Sequence, residues 1–178
     1  MADRRFQSSL HTVTFDCWST LIFEPPGQGG GAARAARLAS TLGVEPAAAA
    51  AALAEAWQLH QRAWHQRSAF TGPDMLRHAL RRLGAQLEAS AHTRLLASLE
   101  EDVLEREVRA IDGARELLAQ LRERKVRTAL ICDTGFTPGR VIRQLLERMG
   151  MLESLEVAIF SDEIGVPKPH PLAIERAL

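Results

Sequence analysis

The sequence predicts an α/β fold built on a parallel sheet and interrupted by an inserted block of helices. Three observations predict it: a β-branched, apolar run at residues 10–15 that stops at Asp16, a helix-then-strand alternation from Asp112 to Phe160, and a long stretch of helix-forming residues between them.

The first run reads Leu-His-Thr-Val-Thr-Phe, the pattern of a buried parallel strand that enters a functional loop. Pro25, Pro26 and the cluster Gly27, Gly29, Gly30 and Gly31 sustain neither helix nor ladder and mark a boundary. From there to about Val108 the chain is rich in Ala, Leu, Arg, Glu and Gln, and breaks at Gly43, Gly72-Pro73 and Gly84 predict four helices. In the longest, over residues 47–70, Leu53, Ala56, Trp57, His60 and Trp64 recur at spacings of three and four, a face read as a buried bundle seam. The alanine run at 47–52 is compositional bias in a good helix former. After Asp112-Gly113, Leu117, Leu118 and Leu121 mark a helix and residues 126–132 a strand. A further helix opens near Pro138, carries Val141, Ile142, Leu145 and Leu146 on its apolar face and closes at Gly150, before a third strand at 157–160. These signals divide the chain into a core, 1–25 and 109–178, and a helical insertion, 26–108.

A chain of 178 residues accommodates one core with a modest insertion. Lys plus Arg equals Asp plus Glu at 22 each, so no global field draws the protein to nucleic acid or to an anionic membrane. The cluster Arg77, Arg81 and Arg82 reads as a solvated helical face. No apolar run approaches the roughly 18 residues that span a bilayer. The first ten residues lack an apolar signal region, and the two cysteines, Cys17 and Cys132, form no disulfide framework, so the expected location is the reducing cytoplasm.

Asp16 ends the first strand, with Thr20 in the turn that follows, and ligands of open α/β sheets gather at such strand ends. The second strand ends in Cys132-Asp133-Thr134-Gly135 at the same edge, where hydroxyl and backbone donors can hold an anion. Beyond the third strand, Lys168 lies between Pro167 and Pro169, whose fixed φ pre-aims the ammonium. A fixed cation keeps a nucleophilic carboxylate ionised and stabilises developing negative charge. Taken singly these signals are weak, because an Asp after a strand usually caps a turn and a lone Lys is usually solvated. A weaker reading makes Trp57, Trp64, His60 and His65 a metal or cofactor site in the bundle, for which His60 and His65, five apart, are a poor fit to paired helical ligands.

In order, however, Asp16, the Cys132–Thr134 turn and Lys168, each after its own strand, resemble the first three motifs of the haloacid dehalogenase superfamily, along the whole chain. The resemblance implies a Rossmann-like parallel core with an α-helical cap inserted between the first two motifs. It implies a small-molecule substrate, a phosphate ester or a 2-haloacid, and covalent catalysis: Asp16 attacks phosphorus or an α-carbon, Lys168 balances charge, Thr134 offers a hydroxyl, and water releases the aspartyl intermediate. Trp18, Thr20, Cys132, Asp133 and Gly135 are then the expected substrate-binding positions, and Asp16 with the Trp18 backbone carbonyl the expected Mg²⁺ ligands.

The sequence also departs from the pattern. Trp18 stands where superfamily phosphatases carry a second Asp that protonates the leaving group, and dehalogenating members accept an aromatic residue there because halide leaves without a proton. Cys132-Asp133 replaces the frequent Ser-Asn, which leaves Thr134 as the only hydroxyl in the turn. The acidic fourth motif, which completes the Mg²⁺ site after one more helix and strand, is not reached before Leu178. The chain therefore reads as truncated, with weak Mg²⁺ binding and with its first strand an exposed edge prone to self-association or to pairing with a partner. The alternative is a catalytically inactive module that binds another protein through its helices.

Overall fold

The computed structural model describes residues 11–27 and 29–178. Leu10, which opens the first predicted strand, and the rest of the N-terminal segment lie outside the described residues.

The chain runs through β1 (Thr12–Phe15) and β2 (Ile22–Phe23) into four helices, α1 (Gly31–Leu42), α2 (Pro46–His65), α3 (Gly72–Arg82) and α4 (Ala89–Glu100). It returns through β3 (Arg109–Ala110), then α5 (Ala114–Glu123), β4 (Arg127–Cys132), α6 (Gly139–Arg148), β5 (Val157–Phe160), the short α7 (Ser161–Ile164) and α8 (Pro171–Ala177). β1, β4 and β5 form a parallel sheet in the order β1-β4-β5, as the helix-then-strand rhythm predicts. β4 is buried on both faces: Leu130 and Cys132 join the cluster packed by Leu118, Val141, Ile142 and Leu146, while Ala129 and Ile131 meet Ala173 and Ala177 of α8 on the other side. That double burial explains its continuous apolar run. β1 lies at one edge of the sheet and exposes Thr14.

A small antiparallel ribbon, Ile22 opposite Ala110 and Phe23 opposite Arg109, closes the two ends of the chain that leave and re-enter the sheet region. Two-residue strands are too short to carry periodicity, so this ribbon has no signal in the sequence. Between them α1–α4 pack around a core of their own, which includes Leu38, Leu53, Met75, Leu76 and Leu99. Thr71 opens α3 by donating both its backbone N–H and its hydroxyl to Asp74, 2.9 Å each.

The seam of α2 corrects the sequence reading. Ala49, Ala52, Leu53 and Ala56 are buried, but Trp57 and Trp64 are 44% and 39% exposed. Of the alanine run, Ala49 and Ala52 are buried; with Leu53 and Ala56 they form the face that packs on α1 and α3, and the tryptophans are left on the flank that looks toward the sheet.

Gly139 opens α6 directly over the fully buried ring of Phe160, where an added Cβ would sit 2.5 Å from Cγ of that ring. Gly139→Ala is expected to lower the unfolding free energy by about 1–3 kcal/mol through overpacking, read as a shifted midpoint in urea titrations.

Candidate active site

Parallel pairing fixes the site. Thr12, Val13, Thr14 and Phe15 stand opposite Arg127, Thr128, Ala129 and Leu130, so Asp16 and the turn after Cys132 leave the sheet side by side at its carboxyl edge. The loop after β5 returns to the same edge. There the Lys168 ammonium donates to a carboxylate oxygen of Asp16 and to the carbonyl of Ile131, the latter at 2.8 Å. The Lys168 backbone N–H donates to Oδ1 of Asp133 at 2.8 Å, and the indole N–H of Trp64, from α2, donates to Oδ2 of Asp133 at 2.9 Å. Asp16, Trp18, Trp64, Asp133, Lys168 and Pro169 line an open cavity of about 440 Å³.

Of the residues expected from sequence, the structure brings together Asp16, Trp18, Asp133 and Lys168. It does not bring the Thr134 hydroxyl to them. That hydroxyl is buried, 3.0 Å from Ser161 Oγ, and accepts the Asp162 backbone N–H at 3.1 Å. Its role here is to seat α7 on the turn after β4. Cys132 lies beneath the cavity with Cys17, both buried, Gly135 sits against the Trp57 ring, and Thr20 is exposed outside the cavity lining. Trp64 and Pro169 are additions that sequence reasoning missed. The signal for Trp64 is a tryptophan seven residues after Trp57 on one helix, a stripe that periodicity alone assigns to the bundle interior.

Magnesium fits the lining residues poorly. Asp16 is paired with Lys168, Asp133 is committed to two N–H donors, and among the described residues no group of three or more His, Cys, Asp or Glu side chains could hold a metal. Mg²⁺ keeps several waters and is held by one or two free carboxylates, and both carboxylates of this lining are already engaged. A neighbouring cavity of about 420 Å³, lined by Arg34, Leu53, Trp57 and Phe136 among others, holds no carboxylate. Its one charged group, Arg34, is spent on Asp102 at 2.6 Å and on the Leu99 carbonyl at 2.9 Å.

Residues 10–178 match the model of the haloacid dehalogenase-like hydrolases, and the chain belongs to that family. Among solved structures, a HAD phosphatase from Thermococcus onnurineus superposes with a TM-score of 0.60 at 16% identity, over 94% of this chain and 69% of that one. A predicted phosphoglycolate phosphatase from Haemophilus somnus 129pt gives 0.56 at 14%, over 93% and 68%. The L-2-haloacid dehalogenase of Xanthobacter autotrophicus with chloropropionic acid covalently bound gives 0.50 at 16%, over 93% and 62%. The chain thus spans less than two thirds of that dehalogenase, and identities this low establish the shared fold alone. No match was found among curated proteins. Among the described residues no helix is long and apolar enough to cross a membrane.

The Cys17 contact and burial together push the Cys132 thiol well above its ordinary range, so it stays protonated and unreactive. In native protein at about pH 8, iodoacetamide is expected to label Cys132 at least about tenfold more slowly than in urea-unfolded protein, measured by peptide mass spectrometry.

Proposed function

We propose that the chain is a hydrolase that forms a covalent ester on Asp16 and expels a leaving group that needs no proton, as halide leaves a 2-haloacid. The observation that carries this reading is the Asp16 carboxylate held by the Lys168 ammonium in a cavity whose wall two residues further on is Trp18. An indole offers no titratable proton, so an alkoxide leaving group would go unassisted there, whereas halide departs with the bonding electrons alone.

The first step is displacement: an Asp16 oxygen bonds to the α-carbon as the carbon–halogen bond breaks. Lys168 keeps Asp16 ionised and steadies the negative charge as it moves toward the leaving group. In the second step water adds to the Asp16 carboxyl carbon, the acyl–oxygen bond cleaves, the hydroxy acid leaves and one water proton passes to solvent. The helical insertion, 26–108, acts as a cap. Its α2 places Trp64 on the cavity wall. Neither step is drawn through a metal, because both lining carboxylates are already engaged.

The test is turnover of 2-haloacid and phosphate-monoester panels with and without Mg²⁺. Haloacid turnover within about twofold in EDTA is expected, with Asp16→Asn reducing it at least about 10³-fold and Lys168→Met about 10²-fold. With enzyme in excess in H₂¹⁸O, the label should enter Asp16 while the first product remains unlabelled. Label appearing directly in the product, or activity confined to phosphate esters with Mg²⁺, sinks this reading.

A further inference from the structure

We propose that Asp133 is a positioning residue that couples the helical insertion to the ammonium of Lys168. The proposal goes beyond the reading of Asp16 as nucleophile, and only its catalytic meaning rests on that reading.

Asp133 spends its two carboxylate oxygens on two separate elements: Oδ1 on the backbone N–H of Lys168 at 2.8 Å, Oδ2 on the indole N–H of Trp64 at 2.9 Å. Proline has no N–H, so in Pro167-Lys168-Pro169 the lysine supplies the only backbone donor, and that donor goes to Asp133. The bond therefore holds the peptide itself in place. From that anchored peptide the side chain reaches Asp16 and the Ile131 carbonyl. Both bonds to Asp133 are charge-assisted, which makes them stronger than neutral ones.

On the other side, Trp64 is 39% exposed, too open for burial alone to fix it. Two turns earlier on α2, Trp57 lies so close to Gly135 that an added Cβ there would be 2.8 Å from its ring. The helix thus meets the turn at residues 133–135 through two indoles, one packed on backbone and one hydrogen-bonded to the carboxylate that also holds Lys168. If α2 moves off the turn, Asp133 loses one of its two donors and is freer to shift away from the other. Position of the insertion and position of the ammonium become linked through one side chain.

The chain's two lysines provide the measurement, because Lys168 is paired and Lys125 is exposed, an internal reference in the same molecule. Native protein and variants are treated with trinitrobenzenesulfonate, and the modification rate at Lys168 relative to Lys125 is read by peptide mass spectrometry. Asp133→Ala is expected to raise that ratio about tenfold and Trp64→Phe about threefold. The double variant should match Asp133→Ala, since both effects pass through the same carboxylate. Should Asp133→Ala fail to fold by circular dichroism, Asp133→Asn serves: it has the same shape but one acceptor for two donors, and a rise of at least about threefold is expected. Ratios within about twofold of native in the Asp133 variants, or a Trp64→Phe effect that adds in full to Asp133→Ala, overturn the coupling. A changed ratio in a protein that turns over neither substrate class upholds the coupling and counts against the hydrolase reading alone.

Discussion

The register between β1 and β4 is the constraint on which the site depends. Phe15 stands opposite Leu130, and one step further Lys168 binds both the Asp16 carboxylate and the Ile131 carbonyl. The ammonium thus touches the two neighbouring strands at the point where they leave the sheet. A slip of one residue would turn Asp16 to the opposite face and separate these groups, because side chains alternate along a strand.

Stability comes from elsewhere. Asp16 and Lys168 are 46% and 28% exposed, and a pair so open to solvent contributes little, about 0–1 kcal/mol. The sheet is held by Leu130, Ile142, Leu146 and Phe160 beneath it, all fully buried. Because position and stability are assigned to different residues, the edge of the sheet can carry charged groups held for their geometry rather than for their contribution to folding.

The helical insertion follows a similar division. Its interior is an apolar cluster that Phe136, from the turn after β4, enters, and several of its other attachments to the sheet region are polar: Trp64 to Asp133, and Arg140 to Glu100 and Glu101 at 2.6 Å each. Burial raises the Glu100 carboxyl above its usual range, partly offset by the Arg140 guanidinium. Polar attachments of this kind are directional, and they stand beside an apolar one, Phe136, which is buried among the inserted helices.

Local signals in the sequence determined the strand–helix rhythm, the four inserted helices and the placement of Asp16, the Cys132–Thr134 turn and Lys168 after their strands. Each depends on hydrophobic period, on proline and glycine, or on where an apolar run stops, and all of these act over a few residues. The choice between Asp133 and Thr134 as the residue facing the cavity was not determined there, because neighbours in a turn differ only in direction, and direction is set by Ser161 and Lys168 arriving from a distant part of the chain. Nor was the fate of the α2 tryptophans, since a helical stripe fixes which residues share a face but not what lies opposite it. Tertiary packing filled the seam with Ala49, Ala52, Leu53 and Ala56 and turned Trp57 and Trp64 toward the sheet, because side chains smaller than an indole allow the helices of the insertion to close on one another.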